Sequence, residues 1–257
     1  MTFEVSGDAY DRFMGAYSRE LAPLMIDFAG IRPGVTVLDV GSGSGALTEK
    51  LAERVGAHLV SACDPSDALA AACATRLPDG DVRCAGAEEL PWPDEVFDAA
   101  LAQLVVNFMR DANAGVSEMR RVTRIGGVVA ACTWDYSGEM QMLRAFWDAA
   151  IAIDPGAPDE AGTMRFASPG ELQDLWRAAG LSDVESDELV VERTYPDFDD
   201  LWGSVLGGVG PAGHYCNSLD EAGREALRDE FRSRLGSPHG EFTLSARAWA
   251  IRGTNRR

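Results

Sequence analysis

Residues 35–46 read VTVLDVGSGSGA, an apolar run that leads into three glycines separated by serines. The first six residues are typical of a buried strand, and the glycines let the chain turn sharply and approach a ligand without a Cβ in the way. Leu47, Leu51 and Val55 then recur every four residues, as on one face of a helix. The stretch therefore predicts a strand, a tight loop and a helix whose free N–H groups point towards a ligand at the loop.

The same alternation of strand and helix continues along the chain. Further strands are predicted at residues 58–63, 81–85, 97–103, 128–133, 184–194 and 241–251, with helices at 68–75 and around 116–122, the latter stopping at Gly126-Gly127. A capping box with proline at the first helical position, at residues 168–171, starts another helix. We expect an α/β, doubly wound Rossmann-like fold with a mostly parallel seven-stranded sheet.

The pattern changes after Trp134, where an apolar helical face is followed by a loop rich in Pro, Gly and Asp. This change predicts a helical cap inserted after the fifth strand. We expect one domain over residues 1–257, with a cofactor-binding core at 35–134 and cap or acceptor segments at 138–170 and 197–240. The second segment contains a predicted mobile loop at residues 207–211.

Composition limits the classes of function. The 257 residues are 46% hydrophobic and 25% charged, as in an ordinary folded protein. The net charge of −18 repels phosphate backbones and anionic lipids, so neither nucleic acid nor a membrane is an expected partner. No apolar run approaches the length of a membrane helix, and we expect a cytoplasmic protein.

The cysteines are five in number and none are paired as C-x-x-C, which argues against a disulfide framework or a zinc site. We expect no metal. Three of them, Cys63, Cys84 and Cys132, fall on strands predicted to be buried. Reduced, buried thiols are the simplest interpretation.

Two cofactor classes fit the glycine loop. Gly41, Gly43 and Ala46 match the dinucleotide fingerprint, with Asp64 placed to accept from ribose hydroxyls in either class. Asp39, two residues before the first glycine, would oppose a pyrophosphate but favour the ammonium and sulfonium of S-adenosylmethionine. The simpler alternatives are that Asp39 only satisfies backbone donors of the turn and that Asp64 caps the next helix.

Several further motifs follow in order. They are CDPS at residues 63–66, AEELPWPD at 87–94, FDA at 97–99 and the glycine pair before the fifth strand. With the glycine loop, they cover residues 35–134 and resemble the class I S-adenosylmethionine-dependent methyltransferases, in the small-molecule group related to quinone biosynthesis. The resemblance implies S-adenosylmethionine as cofactor and methyl transfer to a small molecule.

The resemblance also implies roles for single residues. It assigns Ala87-Glu88 to the adenine, Gln103 to the surroundings of the methionine portion, and Tyr10 to the methionine end, within an N-terminal segment folded over the cofactor. The cofactor-binding residues of the loop and second strand are then Asp39, Gly41, Ser42, Gly43, Gly45 and Asp64. A surface glutamate, a strand-end glutamine and an ordinary amphipathic helix are the simpler alternatives for Glu88, Gln103 and the N-terminal segment.

No catalytic residue is identified, because methyl transfer needs no enzyme nucleophile. If the acceptor is a hydroxyl, His214 in the predicted loop 210–215 is the best candidate base. Aromatic residues in or next to the cap segments favour an apolar or aromatic acceptor, although core packing explains them equally well. They are Trp134, Tyr136, Phe146, Trp147 and Trp202. A nicotinamide-dependent oxidoreductase and a non-catalytic cofactor-binding protein remain the alternative functions.

Overall fold

The computed structural model describes residues 11–256, and within them the chain divides into two compact units. The larger unit comprises Ser18–Trp134, Arg165–Leu189 and residues 248–256. The smaller unit comprises residues 11–17, Asp135–Met164 and Val190–Arg247. The predicted cap segments at 138–170 and 197–240 fall in the smaller unit except for residues 165–170. Their role as a cap stays a prediction.

Seven strands form one sheet in the order β3-β2-β1-β4-β5-β7-β6. Strands β1 to β5 pair in parallel, and β7 lies antiparallel to β5, with Val128 opposite Thr254. This confirms the predicted doubly wound, mostly parallel α/β sheet. The strands are β1 Val37–Val40, β2 Val60–Asp64, β3 Asp81–Cys84, β4 Phe97–Gln103, β5 Thr123–Trp134, β6 Ser182–Tyr195 and β7 Phe242–Thr254.

Ten α-helices are present in the described residues. They are α1 Ala16–Phe28, α2 Ala46–Val55, α3 Asp67–Arg76, α4 Ala112–Val122, α5 Gln141–Ile153, α6 Glu160–Thr163, α7 Pro169–Ala178, α8 Phe198–Val205, α9 Gly210–Ser218 and α10 Glu221–Arg234. A π-helical turn at Asp11–Gly15 precedes α1. None of the helices within residues 11–256 combines the length and apolar character needed to cross a lipid bilayer.

The strand order reverses between β1 and β4. From β1 the chain builds β2 and β3 on one side of the sheet, then crosses to β4 and β5 on the other. Asp39 in β1 consequently lies between Ala62 of β2 and Leu101 of β4. Ligands of open α/β sheets bind outside the carboxyl ends of the strands at this reversal. The glycine loop after β1 is therefore at the position where a ligand is expected.

The larger unit is held together by an apolar core that includes residues of the sheet, α4 and α7. Trp176 of α7 is completely buried, and its Nε1 donates to the Val129 carbonyl of β5 at 3.0 Å. Full burial of each large apolar side chain contributes about 1.5–3 kcal/mol relative to exposure. Core residues contributed by the different elements include Leu38, Val116, Met119, Leu172, Leu175 and Ile251.

The predicted end of the helix before the fifth strand is wrong. Helix α4 ends at Val122, and the Thr123 hydroxyl donates to the Met119 carbonyl at 2.7 Å as the chain enters β5. The glycine pair lies inside β5, where a Cβ on Gly127 would sit 2.5 Å from the Asp98 carbonyl oxygen. Gly127 therefore permits a close approach of two strands, and neither glycine terminates the helix.

Three smaller predictions are also corrected. The residues 57–59 form a 3-10 turn, so the second strand begins at Val60. Cys84 is a free cysteine exposed at the end of β3, and not a buried one. The predicted mobile loop ends where α9 begins at Gly210, because Pro211 occupies a first-turn position that suits proline.

The smaller unit is mainly helical. The predicted apolar face of α5 is buried, with Phe146 edge-on to Trp147 and to Phe231 of α10. The Glu160 carboxylate is buried with them and accepts from Trp147 Nε1 at 2.6 Å. Burial raises the pKa of Glu160 to about 7, and the bond from Trp147 opposes that rise. The indole N–H thus satisfies a carboxylate inside an apolar cluster.

Two substitutions in the first turn of α7 should change the stability of the protein in opposite directions. The Ser168 hydroxyl accepts from the Glu171 N–H, as the sequence predicts, and it also donates to the Glu171 carboxylate. We expect Ser168→Ala to lower the free energy of unfolding by about 1 kcal/mol. Gly170→Ala should raise it by about 0.5–1 kcal/mol, because a Cβ there meets nothing within 4 Å. Urea denaturation measures both, and two changes of the same sign would contradict this account.

Candidate functional site

The glycine loop after β1 adopts left-handed backbone conformations at Gly41, Gly43 and Gly45, with φ of 72°, 54° and 102°. The N–H groups of Gly41 and Ser42 donate to the Cys63 carbonyl at 2.8 and 2.9 Å, which ties the loop to the end of β2. A Cβ on Gly41 would lie 2.6 Å from the Val105 side chain, whereas a Cβ on Gly43 would meet nothing within 4 Å. The loop is thus closed on one side and open at Gly43.

Asp39 lies under this loop and is 1% exposed. Its carboxylate accepts from the Thr48 hydroxyl of α2 at 2.6 Å. Burial raises the pKa of Asp39 to about 7; the hydrogen bonds from Thr48 lower it and the charge of Asp64 raises it further. The expectation that Asp39 only serves the backbone of the turn is therefore incomplete, since its short side-chain bond is to a helix.

Asp64, the last residue of β2, is also buried. One carboxylate oxygen accepts from the Gly43 N–H at 2.9 Å and the other from the Ser66 N–H at 2.9 Å. Burial raises its pKa, and the two backbone bonds lower it. Ser66, and not Asp64, caps the following helix α3. Asp64 thus fixes the glycine loop through its backbone, and its predicted ribose contact stays a prediction.

The two carboxylates share an unusual electrostatic environment. Among the described residues, no lysine or arginine forms an ion pair with Asp39 or Asp64, and none acts on the pKa of either group. Arg76, which lies near the loop, donates to the Ser44 hydroxyl at 3.3 Å. Burying an anion without a cation is costly, so the end of β1 and β2 favours a positively charged ligand.

Gln103 ends β4 on the other side of β1 and is 9% exposed. Its Nε2 donates to the Ser18 carbonyl at 2.9 Å, which fixes the orientation of the amide. Its Oε1 is buried and has no hydrogen-bond donor among the described residues. Buried acceptors are normally satisfied, so this oxygen is suited to accept from a ligand.

The Ala87-Glu88 dipeptide lies beside a cavity of about 500 Å³ whose wall includes Gly86, Glu88 and Arg110. Ala87 is buried. The Glu88 carboxylate accepts from the N–H groups of Arg110 and Asp111 at 2.8 and 3.3 Å, so it holds the turn before α4. Glu88 is therefore more than a surface glutamate, and the contact of the dipeptide with adenine stays a prediction.

Two other residues, Tyr10 and His214, were predicted from the sequence. Tyr10 is outside the described residues. His214 is exposed on α9 and not in a loop, which corrects the predicted setting of the candidate base. Within residues 11–256, no group of three or more His, Cys, Asp or Glu side chains is arranged to hold a metal ion.

The sequence reasoning missed Thr48 and Val105. Thr48 is completely buried in the first turn of α2, and Val105 follows β4. The sequence did hold a signal for Thr48. It is a hydroxyl residue on the apolar helix face of Leu47, Leu51 and Val55, where a buried hydroxyl needs a hydrogen-bond partner. The contact of Val105 with the loop has no local signal, because it depends on the pairing of β1 with β4.

Comparison with known proteins agrees with this geometry. Residues 38–131 match the family model described as a methyltransferase domain. This part of the chain is similar to methyltransferase domains. The match includes Asp39, Asp64, Glu88 and Gln103, and it confirms the resemblance drawn from the motifs.

Individual relatives match mainly over part of the chain. An uncharacterised protein of Mycobacterium tuberculosis is 34% identical over 121 residues, which are 46% of this chain and 44% of that protein. The demethylmenaquinone methyltransferase of Beutenbergia cavernae is 40% identical over 102 residues, covering 40% of this chain and 42% of that enzyme. The chain thus spans less than half the length of these relatives.

A solved structure extends the likeness in fold. The structure titled a putative type II methyltransferase from Anaeromyxobacter dehalogenans aligns with a TM-score of 0.66 at 22% identity. The alignment covers 92% of this chain and 96% of that one. At this identity the likeness concerns the fold alone, and it agrees with the observed strand order.

The different surroundings of two loop glycines predict unequal costs of substitution. Gly41→Ala should lower the free energy of unfolding by about 2–4 kcal/mol, because it adds a clash with Val105 to the strain of a positive φ. Gly43→Ala has the same type of backbone strain without the clash and should cost about 1–2 kcal/mol. Chemical denaturation of both variants measures the difference. Equal costs would show that Val105 does not close the loop.

The raised pKa of Asp39 predicts a pH-dependent stability. Between the unfolded pKa near 4 and the folded value of about 7, the native state holds more protons, so this group makes the ligand-free protein less stable as pH rises. Asp39→Asn removes that loss and should be about 2–4 kcal/mol more stable than the native chain at pH 8, with a smaller gain at pH 5. Urea denaturation at both pH values measures the gain.

The control for this experiment is Asp79→Asn, on an exposed turn. It removes one carboxylate without removing a buried one, so its effect on stability should be small at both pH values. A gain for Asp39→Asn that is equal at pH 5 and pH 8 would contradict the role assigned to the ionised carboxylate.

Proposed function

We propose that this protein binds S-adenosylmethionine and transfers its methyl group to a small-molecule acceptor. The observation that carries the proposal is the pair of buried carboxylates, Asp39 and Asp64, at the open glycine loop without a cationic partner. The sulfonium and ammonium of S-adenosylmethionine would supply the missing positive charge. A dinucleotide would instead bring a pyrophosphate towards two anions, which disfavours the nicotinamide alternative.

The residues present fit this cofactor. The space at Gly43 admits a ligand, because no atom lies within 4 Å of the position of its absent Cβ. The buried Oε1 of Gln103 is an acceptor for the ammonium of the methionine portion. We assign the ribose to Asp64, the adenine to Ala87 and Glu88, and the methionine end to Tyr10. We also assign three other residues of the loop, Gly41, Ser42 and Gly45, to binding of the cofactor.

S-adenosylmethionine supplies an activated methyl group, which is transferred to the acceptor by in-line displacement. The protein then needs to hold the acceptor at the methyl group and to exclude water, and no enzyme nucleophile is required. A carboxylate beside the sulfonium stabilises the ground state more than a transition state in which the charge disperses. Asp39 therefore serves binding of the cofactor and not the rate of transfer.

The acceptor is assigned to a class only. The relative from Beutenbergia cavernae is named a demethylmenaquinone methyltransferase, and the aromatic residues of the segments 138–170 and 197–240 favour an apolar or aromatic small molecule. The net charge of −18 disfavours nucleic acid and anionic membranes as partners. We assign the protein to the cytoplasm and treat residues 1–257 as one functional domain. His214 would act as a base only for a hydroxyl acceptor.

The first test is a thermal-shift titration with S-adenosylmethionine, S-adenosylhomocysteine and NADH in parallel. A ligand at about 100 times its Kd adds roughly 2.7 kcal/mol to the stability of the native state. We expect stabilisation by both adenosyl ligands, its loss in Asp64→Ala, and no response to NADH. Asp64→Asn, which keeps one acceptor oxygen for the loop, separates loss of charge from loss of loop geometry.

Other outcomes assign other functions. A response to NADH alone would overturn the proposal in favour of an oxidoreductase. Binding of both adenosyl ligands without methyl transfer to any acceptor in a panel of quinols, phenols and amines would favour a non-catalytic binding protein. The panel is assayed with isotopically labelled methyl groups, because the acceptor atom is not assigned.

A further inference from the structure

A chain of hydrogen bonds under the glycine loop ends on Asp39. The Cys73 thiol of α3 donates to the Thr48 hydroxyl oxygen at 3.5 Å, and the Thr48 hydroxyl donates to the Asp39 carboxylate at 2.6 Å. All three side chains are buried, at 0–1% exposure. These hydrogen bonds therefore lie away from solvent, where water does not compete for them.

The direction of these hydrogen bonds affects which form of Asp39, ionised or neutral, is favoured. A threonine hydroxyl has one proton to donate. Because the Thr48 oxygen accepts from the thiol, that proton is committed to the carboxylate. A donor fixed in this way stabilises the ionised carboxylate over the neutral acid.

The groups that face Asp39 from the other elements oppose ionisation or are neutral. From β2 they are the Asp64 carboxylate and the Cys63 thiol, and from α3 the Cys73 thiol. From β4 the register partner is Leu101. No cation among the described residues acts on Asp39. Thr48 is thus the side chain that favours the anion, against burial and a second carboxylate.

We propose that Thr48 is a positioning residue for the cofactor: its hydroxyl favours the ionised form of Asp39 under the glycine loop and so helps to set the pH range in which the cationic cofactor binds. This inference rests on the proposed function. Where Asp39 carries a proton in the empty site, the arriving cation replaces that proton, which passes to the solvent. Binding and proton release are therefore linked.

The pH dependence follows from this linkage. In the native chain the affinity for S-adenosylmethionine should fall by up to about tenfold per pH unit below pH 7, where Asp39 becomes protonated. Thr48→Val removes the donor at nearly constant volume and should move the onset of that fall upward by about 1–2 pH units. Thr48→Ser keeps the hydroxyl and should restore the native profile.

The experiment is titration calorimetry of the full chain with S-adenosylmethionine between pH 6 and pH 9, in buffers of different ionisation enthalpy that report protons released. The native chain should release about half a proton from Asp39 near pH 7. Asp39→Asn should show weaker binding, without the fall in affinity below pH 7 and without that proton release. Any dependence on pH that this variant keeps belongs to the amino group of the ligand. Thr123→Val is the matched control. Like Thr48, Thr123 is a buried threonine, but its hydroxyl donates to the Met119 backbone carbonyl and not to a carboxylate.

Each outcome decides the inference. A Thr48→Val variant that binds more weakly by one constant factor at every pH would show a merely structural role and overturn it. So would a native affinity that does not change with pH, although the proposed function would then stand because the cofactor binds. Absence of binding to the native chain at every pH would overturn the proposed function itself. The Thr48→Ser and Asp39→Asn variants keep the test valid if Thr48→Val does not fold.

Discussion

A carboxylate buried beside a second carboxylate loses hydration that only hydrogen bonds or a cation can replace. Asp39 receives the hydroxyl of Thr48, and Asp64 receives the backbone N–H groups of Gly43 and Ser66. These bonds join β1, the loop, the first turn of α2 and the end of β2. The charge of the site and the shape of the loop therefore depend on the same few contacts.

The loop itself depends on the parallel pairing of β1 with its two neighbours. Its first two N–H groups bond to the Cys63 carbonyl at the end of β2, and Val105 beyond β4 occupies the space a side chain at Gly41 would need. A dinucleotide-binding loop needs glycines for the same steric reasons. The loop therefore fits either class of cofactor, and the sign of the charge beneath it separates the two classes.

The sequence predicts the features that depend on local chemistry. The strand, glycine loop and helix at residues 35–55, the capping box of α7 and the acidic residue at the loop all follow from neighbouring residues. The position of Val105 against Gly41 could not be predicted, because it depends on which strands pair. One error has a similar origin, because Gly127 resembles a helix stop but permits a strand contact. A second error is local, because Gly210-Pro211 resembles a loop but begins α9.

Similarity of sequence and similarity of fold have different extents in this chain. The methyltransferase family match ends at residue 131, whereas a solved structure aligns over 92% of the chain at 22% identity. The matched part contains the loop and both carboxylates but neither of the segments 138–170 and 197–240. A transfer that needs no enzyme nucleophile depends on how the acceptor is held, and not on a fixed catalytic side chain. In the proposed function, acceptor contacts can therefore differ while the charged loop stays the same, because the loop would contribute to cofactor binding and the acceptor contacts would contribute to the rate.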